Sequence, residues 1–407
     1  MSLSDQDDDD RFENGETLST AADGTVVVRE EAPPTTATVQ PIEAKPFTSE
    51  ELSGLAEHVP CLFYVDGGPY GTGAGMMPRG ISAMLAGAPG SGKSWLALEL
   101  LLAAANGGAL FGVPGDDNRP GVPYVRANEA GRVLFISLED TREMVGQRLR
   151  GICAARGLEE WQRDAYLSRL HIMSWNDADV RACKKRALVR FSATDSSVSR
   201  LELFERVSAL LATPGDPWSL IVVDTLARSA RGEVEASAEA ATDVIQEFEE
   251  WTQVRGNPTV LVLHHTRKSD ANLENPSKWL QSALTQDAVR GSSALAGAVR
   301  WLGVLAKFRI DADSDRRTPS LPLRNAFFEV AKTNGAAEDA MSRLHLVPAN
   351  NGVLAIASEP ERRAWTEWAQ QPSKRDKATE PPASAPPSRR NGSGSQPRPF
   401  HDPRDTD

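Results

Sequence analysis

The chain has 407 residues, of which 40% are hydrophobic and 25% charged, and its formal net charge at pH 7 is −11. Its length could hold two domains, but both ends are polar and proline-rich, so one large folded domain is expected. We predict a disordered acidic tail over residues 1–46, a folded domain over 47–358 and a disordered Pro/Gly/Ser-rich tail over 359–407. The first tail holds eleven acidic and three basic residues, so most of the acidity belongs to it. The overall charge therefore does not exclude a basic face on the folded domain.

The three cysteines, Cys61, Cys153 and Cys183, lie far apart and form no C-x-x-C pair. This spacing argues against a zinc site and a disulfide framework, and we expect small buried side chains. No run approaches the ~18 apolar residues of a membrane span, and the first residues lack the layout of a signal peptide. We expect a cytoplasmic protein that does not enter a membrane.

The first elements of the folded domain lead to a glycine-rich loop. Residues 47–79 combine a short helical pattern with a glycine-rich stretch and are expected to lie against the core. A strand over 81–86 and a helix over 95–102, ending near Gly107, then flank residues 87–94, which read GAPGSGKS. This octapeptide fits G-x-x-x-x-G-K-[ST], the loop that binds a nucleoside triphosphate.

The chemistry of this loop follows from its residues. Glycines let backbone N–H groups converge on phosphate oxygens, and the following helix adds the positive end of its dipole. Lys93 can reach the β- and γ-phosphates, and the Ser94 hydroxyl can ligate Mg²⁺. We predict that ATP and Mg²⁺ are bound by a segment running from the loop into the first helical residue: Gly87, Ala88, Pro89, Gly90, Ser91, Gly92, Lys93, Ser94 and Trp95.

Two acidic residues follow the next strand, which is predicted over 132–137 and precedes a helix over 141–155. Glu139 stands where the carboxyl end of a strand would present it to a ligand, and it could take a proton from an attacking water. An alternative makes Asp140 the N-cap of the following helix and Glu139 an acid of its first turn. Both interpretations can hold together.

A shorter candidate strand over 170–173 and a helix over 198–211 come next. Two further predicted strands follow, and each ends in polar residues. The strand over 220–223 is followed by Asp224, the form of a Walker B segment that holds Mg²⁺ through water. After a helix over 237–254, the strand over 259–263 is followed by His264 and His265. Adjacent strand residues point to opposite faces, so we expect one histidine to sense the γ-phosphate and the other to be structural.

Beyond Gly291 the apolar runs are spaced by turn residues and indicate antiparallel strands, with candidates over 298–308, 326–331, 343–347 and 353–356. The alternation of strands and helices before them is typical of a parallel sheet with crossover helices. The predicted fold class is therefore α/β, a mostly parallel twisted sheet flanked by helices, with antiparallel strands added at its C-terminal edge.

Five motifs in this order, within residues 86–94, 131–140, 220–228, 262–268 and 290–300, resemble those of RecA-like P-loop ATPases. The segments Ser-Leu-Glu-Asp, His-His-Thr-x-Lys and Arg-Gly-Ser-Ser most resemble the RepA-type hexameric replicative helicases of plasmids and phages. The resemblance covers about residues 60–356. It implies an ATP-hydrolysing ring, most often a hexamer, that acts on single-stranded DNA as a helicase.

The resemblance also implies roles for individual residues. Glu139 would be the catalytic base, Lys93 and Ser94 the phosphate and Mg²⁺ contacts, Asp224 the Walker B acid and His265 the γ-phosphate sensor. ATP would lie between subunits, with an arginine of the neighbour stabilising the transferring phosphoryl group. Candidates for that arginine are Arg290 and Arg300, with Arg267 and Lys268 behind them.

Loops over 228–235 and 267–289 correspond to those that grip single-stranded DNA in the family. They carry scattered bases and Trp279, which could stack on a base but is more often a packing anchor. Two departures concern the DNA and partner details: Thr225 stands where the family usually has proline, and residues 111–130 form an insertion. Nothing in the sequence identifies a protein partner.

Two other functions remain open at the level of sequence. An ATP-dependent scaffold or regulator could assemble on the same core without unwinding DNA. A small-molecule kinase is disfavoured, because Glu139 and Arg290 suit water activation and stimulation from a neighbouring subunit.

Overall fold

The computed structural model describes residues 17–20, 26–29, 46–54, 59–66, 73–111, 124–232, 234, 237–267, 275–291, 293–310, 319–336, 343–349 and 353–370. The chain divides into two compact units, 1–56 and 57–407. In the first unit, β1 (Thr17–Thr20) pairs antiparallel with β2 (Val26–Arg29), and α1 spans Ser49–Gly54. No helix within the described ranges is long and apolar enough to cross a membrane.

The second unit alternates strands and helices along most of its length. Its described strands are β3 (Cys61–Asp66), β4 (Ala74–Pro78), β5 (Ser82–Gly87), β6 (Tyr124–Ala127), β7 (Arg132–Ser137), β8 (Leu170–Ser174), β9 (Val189–Ser192), β10 (Ser197–Arg200), β11 (Trp218–Asp224), β12 (Ala230–Arg231), β13 (Thr259–His265), β14 (Trp301–Arg309), β15 (Arg324–Thr333), β16 (Leu344–Pro348) and β17 (Leu354–Ile356). Its described helices are α2 (Lys93–Asn106), α3 (Arg142–Ala155), α4 (Glu160–Leu167), α5 (Ala178–Ala182), α6 (Glu202–Leu211), α7 (Leu226–Ser229), α8 (Ala238–Glu249), α9 (Pro276–Ala283), α10 (Ser293–Ala298) and α11 (Glu359–Gln370).

The central sheet of the described residues has nine strands in the order β17-β16-β15-β14-β5-β13-β11-β7-β8. The six strands from β14 to β8 run parallel, whereas β15, β16 and β17 each run antiparallel to the preceding strand. The predicted fold class is confirmed. Strands β5, β13, β11 and β7 are neighbours, so the carboxyl ends that carry the predicted site residues meet at one edge of the sheet.

Alternate side chains of the central strands pack into two apolar layers, one on each face of the sheet. On β5, Leu85 packs with α2, α3 and α4, whereas Met84 packs with α6, α8, α10 and α11. Both residues are completely buried. The central strands are apolar throughout because helices cover both faces, which is why the sequence shows continuous rather than alternating apolar runs there.

Two small sheets flank the central one. Strands β4, β3 and β6 form an antiparallel sheet from the segment preceding the glycine-rich loop and the end of the insertion. Its apolar residues, among them Phe63, Val65 and Met77, are buried in the layer that contains α2. Strands β10, β9 and β12 form the other small sheet, in which β9 and β10 precede β11 along the chain and β12 follows it.

Several details differ from the sequence prediction, among them the start of one helix, the direction of one strand and the beginning of the C-terminal tail. The helix predicted from residue 198 begins at Glu202, because residues 197–200 pair with β9 as a hairpin. The first strand after Gly291, β14, is parallel to β5, since α10 precedes it as a crossover; antiparallel pairing begins at β15.

The third difference concerns the C-terminal tail, which was predicted to begin at residue 359. Its first twelve residues instead form α11, whose Trp365 and Trp368 are buried against Phe308. The low apolar content of this segment gave no indication of a helix. Its two tryptophans, however, lie three residues apart and so share one helix face.

Candidate functional site

The glycine-rich loop turns from β5 into α2, and close packing restricts two of its glycines. A Cβ atom on Gly87 would lie 2.7 Å from the Leu305 carbonyl oxygen. Gly92 has a φ of 103°, and a Cβ atom there would lie 3.1 Å from Leu354 Cδ1. Helix α2 then runs from Lys93 to a left-handed cap at Gly107. The loop therefore has the backbone that phosphate binding at a helix N-terminus requires.

Lys93 is buried beneath the loop. Its Nζ donates to the carbonyl oxygens of Gly87 at 2.7 Å and Ala88 at 3.2 Å, and it lies 3.4 Å from His265 Nδ1. Burial lowers the pKa of Lys93 to about 8, an effect that the charges of Asp224 and Glu139 oppose. The ammonium thus stands at the centre of the site with carboxylates nearby.

Ser94 and Asp224 form the oxygen-donor pair of the site. Ser94 Oγ donates to Asp224 Oδ2 at 2.7 Å, and Asp224 is 1% exposed. Burial raises the pKa of Asp224 to about 6; the hydrogen bond from Ser94 and the charge of Lys93 oppose this shift, whereas Glu139 and Asp140 add to it. A hydroxyl and a buried carboxylate lining one cavity are the oxygen donors that Mg²⁺ prefers, so these residues fit the predicted ion.

Glu139 lies at the carboxyl end of β7, beside the end of β11. The two strand ends are joined by a hydrogen bond from Leu138 N to Asp224 O, at 2.8 Å. The Glu139 side chain is exposed, and its Oε1 accepts a hydrogen bond from Thr225 Oγ1 at 3.0 Å. The carboxylate is therefore both accessible to water and held in one position by the residue that follows the Walker B aspartate.

Asp140 does not cap the helix that follows it. The cap of α3 is Thr141, whose side chain accepts from Met144 N, and Asp140 instead forms an ion pair with Arg148. The alternative of Asp140 as N-cap is wrong, because the helix begins one residue later than that interpretation needs.

The two histidines at the end of β13 have different surroundings. His264 is completely buried, and its Nε2 lies 3.0 Å from the Arg290 carbonyl oxygen. His265 pairs in register with Gly87 and lines the cavity beside Lys93. Because β13 lies between β5 and β11, its end lies between the glycine-rich loop and Asp224. This is where a group that contacts a terminal phosphate would have to be.

These residues surround one cavity of about 440 Å³. It is lined by the loop from Pro89 to Trp95, by Glu139, Asp224 and His265, and by a wall from the C-terminal strands. The structure thus brings together every predicted catalytic and metal-binding residue except Arg290.

Sequence analysis missed three cations of this cavity. Arg148 comes from α3, Lys307 from β14 and Arg324 from the start of β15. Lys307 Nζ donates to the Gly90 carbonyl oxygen at 3.3 Å, which attaches β14 to the loop. No motif marks them; Lys307 lies near the end of β14, and Arg324 is the first residue of β15.

The predicted arginines lie outside this cavity. Arg290 is exposed, and its backbone N–H donates to His265 O at 3.0 Å, so it is tied to the end of β13. Arg300 is also exposed, but its N–H donates to Ser82 O at the opposite end of β5, away from the loop. Arg267 is exposed near Gly291, and Lys268 lies outside the described residues.

Trp279 is 9% exposed and packs edge-to-face on Phe308 at 5.2 Å between ring centroids. The interpretation that Trp279 stacks on a base is therefore wrong. The side chain instead packs α9 against β14. The predicted DNA loops, 228–235 and 267–289, lie partly outside the described residues.

The fold and this cavity define a P-loop NTPase of the RecA-like class. Residues 71–271 match the family model described as an AAA domain. These residues include the glycine-rich loop, Glu139, Asp224 and His265, but not Lys307 or Arg324.

Among solved structures, the chain is similar to the KaiC-like protein PH0186 from the hyperthermophilic archaeon Pyrococcus horikoshii OT3. The identity is 12% and the TM-score 0.38, over 70% of this chain and 92% of that one. Comparison with curated protein sequences gives no match.

Proposed function

We propose that this chain is an ATP-hydrolysing motor that forms a ring, acts on single-stranded DNA and is of the replicative helicase type. The observation that carries the hydrolytic part is the convergence of Lys93, Ser94, Asp224, Glu139 and His265 on one cavity. The DNA and ring parts rest on the resemblance of the sequence motifs to RepA-type helicases.

Each residue of the cavity has a role in this proposal. The N–H groups of the loop and the Lys93 ammonium bind the β- and γ-phosphates, while Ser94 and Asp224 hold Mg²⁺. Mg²⁺ held by Ser94 and Asp224 would supply positive charge beside the phosphates. Glu139, accessible and oriented by Thr225, accepts the proton of the attacking water, and His265 contacts the γ-phosphate.

The ring explains the position of Arg290. It is exposed and lies outside its own cavity, yet its backbone is bonded to the residue that contacts the γ-phosphate. We propose that Arg290 reaches the ATP of a neighbouring subunit in a homo-oligomer, a hexamer by resemblance. A change at His265 would then be transmitted directly to the residue that completes the next site.

Strand displacement on a forked duplex tests this function. The wild-type chain with ATP and Mg²⁺ should release the labelled strand. The Lys93→Ala variant should not, because the phosphates of ATP would lose their contact with the buried Lys93 ammonium. Arg150→Ala, which removes an exposed cation of α3 outside the cavity and outside the predicted DNA loops, is the control and should act as wild type. DNA-stimulated hydrolysis without any strand release would favour the scaffold or regulator instead, and full activity of Lys93→Ala would overturn the site.

A further inference from the structure

The small sheet β10-β9-β12 joins two segments that are distant in sequence. Residues 178–200 lie between β8 and α6, whereas β12 follows the Walker B aspartate by six residues. In this sheet β12 runs parallel to β9, and Leu188 N donates to Ser229 O at 2.7 Å. Gly232, with a φ of 95°, lets the chain leave close to Phe191, whose carbonyl oxygen would be 2.5 Å from a Cβ there.

The sheet has one apolar and one polar face. Val189 and Phe191 are buried against the layer that contains α6 and α8. Arg190, between them, is exposed, and it is the register partner of Arg231 on β12 and of Ser199 on β10. Register partners share a face and neighbouring strands lie about 4.8 Å apart, so two arginines and a serine form a row across the outer face.

Four more exposed bases lie on the two segments that this sheet joins. Exposed basic residues of the two joined segments, none in an ion pair with a described carboxylate, are Arg181, Lys184, Arg186, Arg190, Arg228 and Arg231. In contrast, Arg200 and Arg206, close by in sequence, are paired with glutamates. Asp195, in the turn between β9 and β10, accepts hydrogen bonds from Ser197 and lies at the tip of the hairpin. We call these six bases, together with Ser199 of the row, the basic surface.

We propose that the basic surface binds the phosphate backbone of single-stranded DNA. The inference rests on the proposed function, which supplies the identity of the polyanion as DNA. It adds residues 181–190 to the loop after Asp224 as part of the DNA-binding site. Exposed arginines and a lysine, beside the exposed Ser199 hydroxyl, are groups of the kind that contact phosphate oxygens. Sequence analysis found only scattered bases, because the two segments that supply the surface are about 40 residues apart in the chain.

The basic surface is directly connected to the catalytic carboxylate. Thr225, which donates to Glu139, also accepts backbone hydrogen bonds from Arg228 N at 3.1 Å and Ser229 N at 2.9 Å. Ser229 in turn bonds to Leu188 at the start of β9. A strand of DNA held on this surface would therefore act on Glu139 through one turn of helix, which provides a route for DNA to stimulate hydrolysis.

Binding of a labelled oligo(dT) strand to the full chain, measured by fluorescence anisotropy across a salt series, tests the proposal. The double variant Arg190→Glu/Arg231→Glu should weaken binding by roughly tenfold or more and lower the salt slope by about 2. Arg190→Lys/Arg231→Lys should keep most of the affinity, because phosphate contacts need the charge. Arg150→Glu, an exposed arginine of α3 on the other face of the central sheet, is the control and should bind as wild type.

The outcomes separate this inference from the proposed function. If the wild type binds oligo(dT) and the double reversal binds equally well, the basic surface is wrong and the motor on DNA stands. If the wild type binds no DNA even at low salt, both fail. Equal binding of duplex DNA or of oligo(U), with the same loss on reversal, would overturn the assignment to single-stranded DNA. Thermal unfolding of each variant confirms that a loss of binding is not a loss of fold.

Discussion

At the level of single residues, the candidate site contains a hydrogen bond between Thr225 and Glu139 that orients the carboxylate. Thr225 stands where RepA-type helicases usually have proline, and its hydroxyl holds the Glu139 carboxylate at 3.0 Å. A proline could not donate this hydrogen bond. The departure at Thr225 therefore bears on the carboxylate that we propose as the catalytic base, by orienting it.

Replacing Thr225 by valine should separate the role of its hydroxyl from its packing. Thr225→Val keeps the shape of the side chain, so we expect ATP to bind with unchanged KM while kcat falls by roughly tenfold, because the carboxylate is no longer oriented. Thr225→Ser restores the hydroxyl and should restore kcat. Steady-state hydrolysis at varied ATP measures both constants; an equal loss in the serine variant would indicate a structural role only.

At the scale of elements, helix α11 is held on the sheet by an aromatic cluster around His345. The imidazole stacks on Phe327 at 4.6 Å between ring centroids, contacts Trp365 of α11, and bonds through Nε2 to Asn325 Oδ1 at 2.7 Å. Asn325 also lines the nucleotide cavity. The C-terminal helix is thus connected to the nucleotide site through one buried histidine.

The burial of His345 makes the stability of the fold depend on pH. Desolvation lowers its pKa from 6.5 to about 4; Glu361 opposes the shift and Arg362 adds to it. As pH falls, the unfolded chain therefore protonates at this histidine at a higher pH than the folded chain does. The contribution of His345 to the free energy of unfolding is complete above pH 6.5 and is lost as pH falls towards 4, by at most about 3 kcal/mol. His345→Gln should show a smaller fall of the melting temperature over this range. A fall as large as that of the wild type would contradict this role.

The elements also show what the sequence could and could not predict. The strands that end at Gly87, Ser137, Asp224 and His265 were predictable, because buried parallel strands read as short apolar runs followed by polar residues. Lys307 was not, since its place beside Gly90 depends on β14 pairing with β5, more than 200 residues earlier in the chain. Pairing of strands over such distances leaves no local pattern. For the same reason, the sequence did not predict that β9 pairs with β12, nor the basic surface that this pairing forms.

In the whole molecule, the segment that matches the AAA domain holds the proposed hydrolytic residues and the basic surface, while the later strands complete the cavity. Residues 71–271 contain Glu139, Asp224, His265 and the β10-β9-β12 sheet. Lys307, Arg324 and Leu354 come from beyond them and close the other side of the cavity. In our proposal, nucleotide and DNA would therefore bind to the same domain, and its C-terminal strands would complete the nucleotide site.

We propose that this cavity hydrolyses ATP with Glu139 as the base. Glu139→Gln keeps the size and the Thr225 hydrogen bond of this side chain but removes its ability to accept a proton. Single-turnover hydrolysis of ATP by the full chain, with nucleotide binding measured in parallel, tests the claim directly. We expect ATP to bind as in the wild type and the hydrolysis rate to fall at least roughly a hundredfold. Hydrolysis by the variant at the wild-type rate would contradict the account.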